Sequence, residues 1–156
     1  MAPEQPYPFS IEEDDRTMFI FTPPAGGTWR LDAGRFTEAL RRREGENAFV
    51  HTKADGGAYG PRSEHSWWFD FTVAGVTHEG IGAGAAGDHE GVSLKDATAA
   101  VAAEFAHWVC EELLPPGAAV EFNSEIGLEA GLDDGVLTQH TVADLEAVFR
   151  GHLADL

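Results

Sequence analysis

The residues best placed to do chemistry are Asp70, His78 and Glu79. They lie in two short runs, SWWFDFTV over 66–73 and VTHEGI over 76–81, separated by Ala74-Gly75. Trp67, Phe69, Phe71 and Val73 alternate with Trp68, Asp70 and Thr72. That period of two predicts a strand with one apolar face. A two-residue turn at 74–75 would pair Val73 with Val76, Phe71 with His78 and Asp70 with Glu79. Carboxylates directly opposed across a ladder repel each other. Such a pair splays into water, shares a proton, or holds a cation or a basic side chain such as Arg35. Only the shared proton or bound cation would make an acid–base or metal site. His78 is the third catalytic candidate, although a histidine on an apolar face more often serves as a hydrogen-bonded core residue.

A glycine-rich stretch follows. Gly82-x-Gly84-x-x-Gly87 has the spacing of a dinucleotide-binding loop. That loop works because its third glycine lies in the helix that opens immediately, under the pyrophosphate. Here Asp88-His89-Glu90-Gly91 intervene, and two carboxylates would face the phosphates. The stretch therefore reads as a connector, or as a loop that closes over a ligand, with Trp68, Asp88, His89 and Glu90 as candidate binding residues. No cofactor is expected. The chain has seven histidines but no HExxH or His-x-x-x-His spacing, so no metal site is expected. Cys110 is flanked by apolar residues and Glu111, an environment that quenches a thiol. No serine lies in a G-x-S-x-G elbow.

These residues need elements to hold them. The 156 residues suffice for one domain with a real core. Residues 1–16 read as an extended arm and 17–156 as a single α+β domain. Strands are predicted over 17–22, 48–53, 66–73, 76–81 and 118–123, with 135–138 as a further extended candidate. Asp32 is expected to cap a helix to about Arg43, and Thr141 a helix over 142–153. Between them Ser93 and Asp96 resemble a capping box. Leu94, Ala97, Val101, Phe105, Trp108 and Leu113 fall on one helical stripe. That predicts a helix over 93–114, ended by Pro115-Pro116-Gly117. The expected fold is a mostly antiparallel sheet of four to five strands, with two to three helices packed on one face.

The formal charge is −17. It repels phosphate backbones and anionic membrane surfaces, so neither nucleic acid nor membrane is an expected partner. It favours a basic protein partner and fast, salt-sensitive association. Glu125, Glu129, Asp133 and Asp134 surround aliphatic residues in the pattern of an interface: an apolar centre with a charged rim. The absence of a basic, apolar leader predicts a cytoplasmic location. The function this favours is a small acidic interaction protein that neutralises or delivers a basic partner. In charge and size alone it is similar to bacterial immunity proteins that block basic toxins. An open edge on the aromatic hairpin also makes a homodimer an expectation. The alternative is a small enzyme or ligand-binding domain, with a pocket between the hairpin 66–81, the glycine-rich loop 80–91 and the helix 93–114.

Overall fold

The computed structural model describes residues 15–52, 65–86, 89–138 and 140–156. Most of the arm expected over 1–16, with Gly87 and Asp88 of the glycine-rich loop, lies outside the described residues. Seven strands form one antiparallel sheet: β1 (Thr17–Thr22), β2 (Val50–Thr52), β3 (Ser66–Val73), β4 (Val76–Ala83), β5 (Gly91–Ala97), β6 (Glu121–Ser124) and β7 (Gly135–Val136). Their order across the sheet is β2-β3-β4-β5-β1-β6-β7. The helices are α1 (Ala33–Glu44), α2 (Ala99–Trp108), α3 (Glu125–Glu129) and α4 (Val142–Ala154), and a π-helical turn over Val109–Leu113 continues α2. The class is α+β as expected, and the described residues form seven strands and four helices where the sequence predicts four to five and two to three.

Strand alternation sorts the sheet into two faces. One core row runs through Phe69, Gly80, Leu94 and Phe19, and the next through Trp67, Gly82, Val92, Phe21 and Phe122. Three helices pack on this face through aromatic rings. Phe36 of α1 lies 4.5 Å from Phe69, Phe105 of α2 lies 5.8 Å from Phe21, and Phe149 of α4 lies 5.1 Å from Phe19, centroid to centroid. Tilted and edge-on rings at such spacings add to the burial of their apolar area. The alanines of α2 let it approach the sheet closely: Ala99, Ala102, Ala103 and Ala106 are all fully buried.

The glycines belong to this aromatic layer. Trp67 stands opposite Gly82 and Phe69 opposite Gly80, and the Phe122 ring repeats the arrangement over Gly135. Each ring occupies the space that a Cβ on the facing glycine would need. The glycine spacing that resembles a nucleotide loop thus serves cross-strand packing at Gly82. At Gly84 it serves a close approach to the Leu31 carbonyl.

The predicted start of the central helix is corrected. Residues 91–97 are strand β5, and α2 begins at Ala99 with Thr98 as its N-cap, accepting the Val101 N–H at 3.3 Å. Ser93 is therefore a strand residue. The cause is a β-bulge. Thr17 pairs with Ala97 and Phe19 with Leu94, so two steps on β1 face three on β5, and Asp96 takes a left-handed φ of 53°. The extra residue puts Leu94 and Ala97 on the same face, three apart. That step reproduces the i, i+3 spacing of a helix. The caps at Asp32 and Thr141 are as expected: their side chains accept from Arg35 N at 2.8 Å and Asp144 N at 3.2 Å.

The packing roles of the glycines are measurable. Gly82→Ala forces Trp67 out of its place and should destabilise by about 1–3 kcal/mol, as overpacking does. Gly151, in α4, has open space around its Cβ position. Gly151→Ala should stabilise by up to about 1 kcal/mol through helix propensity. Urea midpoints of the two variants check both signs.

Candidate functional site

The hairpin register agrees with the pairing inferred from the turn: Asp70 faces Glu79 and Phe71 faces His78. Alternation places Asp70 and Glu79 on the face away from the helices and His78 on the core face, where it is 6% exposed. The three catalytic candidates are thus divided between the two sides of the sheet. Glu79 does not meet Arg35. Its carboxylate accepts from Lys95 Nζ at 3.1 Å, while Arg35 donates to the carbonyls of Trp29 and Arg30. Lys95 and Glu79 are 41% and 63% exposed, so this ion pair contributes little to stability. It does relieve the repulsion between the two opposed carboxylates. Among the described residues no group of three His, Cys, Asp or Glu side chains is arranged to hold a metal ion.

The open face has its own order. One row across it reads His51, Trp68, Ile81, Ser93, Ile20, Asn123. Trp68 is exposed, and Ile81 and Ile20 are half-buried. The His51 ring lies 6.3 Å from Trp68, and the exposed Phe49 ring stacks 6.4 Å beyond it. Asp70, Glu79 and Lys95 border the apolar row on the side of the hairpin turn. Glu121 borders it on the other side, beside the exposed Val136. An aromatic and aliphatic band with a predominantly acidic margin therefore crosses the sheet.

Glu90 has a structural task. Its carboxylate accepts the Thr28 hydroxyl at 2.6 Å, the Leu31 N–H at 2.8 Å and the Trp29 N–H at 3.1 Å. Arg30 between them has a left-handed φ of 55°. The backbone so turned makes a concave nest of N–H groups that suits an anion, and the chain supplies its own. This ties the entry to α1 to the end of the glycine-rich loop. His89 beside it is exposed.

The acidic C-terminal residues also divide. Glu125, Glu129 and Asp133 are exposed around Leu128, itself 53% exposed. Asp134 instead accepts from Asn123 Nδ2 at 2.8 Å and so braces the end of β6.

One polar cluster went unread in the sequence. Ser124 and Asn123 are buried at the end of β6. Ser124 Oγ accepts the Gly127 N–H at 2.9 Å as the cap of α3 and lies 2.8 Å from His152 Nε2. A hydroxyl carries one donor and two acceptor sites, so the direction of this bond follows the His152 tautomer. Ser124 is fully buried, and this pair joins β6, α3 and α4 in the interior. Twenty-eight residues separate the partners, so only a polar Asn-Ser ending an apolar strand could have signalled the cluster. Burial pushes the His152 ring below its ordinary value, against a small opposing pull from Asp155. Burial and the Glu111 charge push the Cys110 thiol up to about 11, consistent with an inert cysteine.

The helix wall expected for an enzyme pocket stands on the other side of the sheet from Trp68. α2 begins at Ala99, and Phe105 packs on Phe69, which faces away from Trp68. No helix among the described residues is long and apolar enough to cross a membrane. Comparison with known proteins yields no matching family model, no matching curated protein and no matching solved structure.

The buried histidines make stability fall with acid. Burial holds both His78 and His152 below the ordinary histidine range in the folded state. The unfolded chain then binds protons more readily than the folded one, so unfolding free energy drops as pH falls below about 6.5 and is undiminished above it. Urea midpoints measured between about pH 7.5 and 5.5 should show this slope, and His152→Gln should reduce it.

Proposed function

We propose that this chain is a cytoplasmic binding protein that takes a basic protein partner on the open face of its sheet, and that blocking or carrying that partner is its role. The observation that carries this reading is the row of exposed Trp68 and half-buried Ile81 and Ile20, bordered by Asp70, Glu79 and Glu121. A large aromatic at the centre of a patch, with charge at its rim, is the usual anatomy of a binding surface. The net charge of −17 speeds encounter with a cationic protein and opposes encounter with an acidic one. It also opposes close approach of a second copy, so a hetero-complex is favoured over a homodimer. Glu125, Glu129 and Asp133 around Leu128 are a second acidic surface that would widen the attractive field. The reading is one of interaction rather than catalysis: Asp70 and Glu79 act as rim charges, and Glu79 is already paired with Lys95.

The experiment compares immobilised wild-type protein with Trp68→Ala and Glu79→Lys in capture from native cell extract. Wild type should recover a basic protein whose yield falls steeply with added salt. Trp68→Ala should weaken binding of that protein by about tenfold or more, as loss of an aromatic anchor does. Glu79→Lys should mainly slow its association. Unchanged binding by Trp68→Ala would rule out the open face, and a partner that is acidic or insensitive to salt would rule out the charge argument.

A further inference from the structure

We propose that a cleft at the turn end of the β3–β4 hairpin binds a small apolar carboxylate, its head held by Arg16 and His78 and its tail lying along valines. The cleft is independent of the open face, since it lies where the hairpin meets the first turns of α2 and α4. Its volume is about 340 Å³, within the range of small-ligand sites. Val73 and Val76 come from the hairpin, Val101 from α2 and Val142 from α4. These side chains make a mostly apolar wall with few polar groups, the usual composition of a ligand pocket.

Two of the polar groups lining the cleft, Arg16 and His78, are donors. His78 is more than nine-tenths buried, yet no described residue hydrogen-bonds its ring. Among the described residues the sealed, unpaired side-chain nitrogens belong to Trp67 and Trp108. The His78 nitrogens are therefore not sealed in the core, and the ring lines the cleft. Burial, with the nearby Arg16 charge, holds His78 in its neutral form, with one N–H to donate. Arg16 donates one long bond, 3.3 Å, to the Asp96 carbonyl, and no other described residue accepts from its guanidinium. Two donors thus meet at an apolar cleft with unused hydrogen-bonding capacity, an arrangement that an acceptor completes.

Charge selects a carboxylate over an amine. The charge of Asp96, on β5, acts on His78 in the sense opposite to Arg16. Glu104 of α2 and Glu146 of α4 also line the cleft. Glu146 is neutralised by Arg150, whose Nε donates to it at 2.9 Å. α2 and α4 both begin here, capped by Thr98 and Thr141, and the positive ends of their dipoles add to Arg16. Glu104 opposes them from the cleft lining.

Titration calorimetry of the full chain with sodium hexanoate, hexylamine and hexanol tests the site. Hexanoate should bind at one site, more tightly than the other two. Binding should strengthen from butyrate to hexanoate by about fourfold per methylene buried. Arg16→Ala, an exposed substitution, should weaken hexanoate about tenfold, the effect expected of a charge-assisted hydrogen bond. His78→Phe should weaken it while leaving a cooperative thermal transition. Should His78→Phe fail to fold, Arg16→Ala decides alone. Hexylamine binding as tightly as hexanoate, hexanoate binding unchanged in Arg16→Ala, or no saturable binding at millimolar hexanoate would each overturn the proposal.

Discussion

The structure depends on rings lying over glycines. Trp67 over Gly82 and Phe69 over Gly80 fill the space that side chains on β4 would otherwise take. The rings can then lie low on the sheet and meet Phe36 and Phe105 from the helices. A glycine in a strand gives up backbone entropy and packing area. Here both are offset, because a large ring across the ladder covers the bare backbone. The pairing also holds register: a slip by one residue would set the Trp67 ring against the Ile81 side chain and turn the aromatic face outward.

A second constraint follows at the chain's crossings. The loop before α1 must reach across to the segment between β4 and β5, and Glu90 holds it there by filling a nest of backbone N–H groups. Its carboxylate meets donors that would otherwise be left without partners, and charge-assisted bonds of this kind are stronger than neutral ones. Ser124 and His152 do similar work at the opposite corner of the sheet. In both places a residue type associated with sites is engaged in holding the fold, which moves attention from acids in loops to the exposed surface.

That surface is a consequence of asymmetry. The packing helices α1, α2 and α4 lie on one side of the sheet, so its other side keeps a band of Trp68, Ile81 and Ile20 in reach of solvent. The band's acidic margin and the chain's overall charge act in the same direction. The hairpin-end cleft arises differently, from three elements that meet without filling the space between their valines.

The alternation over 66–73, the turn at 74–75 and the opposition of Asp70 to Glu79 were legible in the sequence, because a two-residue turn sets the register of every pair behind it. The caps at Asp32 and Thr141 were legible for a similar reason: a cap is satisfied by a backbone N–H three residues on. The strand β5 was not. Its bulge at Asp96 gave Leu94 and Ala97 a helical spacing, and only pairing with β1 and β4 makes that segment extended. The partner of Glu79, the nest around Glu90 and the Ser124–His152 contact were equally hidden, since each joins residues far apart in the chain. Composition alone determined the charge of the molecule. Tertiary structure decided which carboxylates remain free to use it, because a side chain's availability depends on what long-range packing brings beside it.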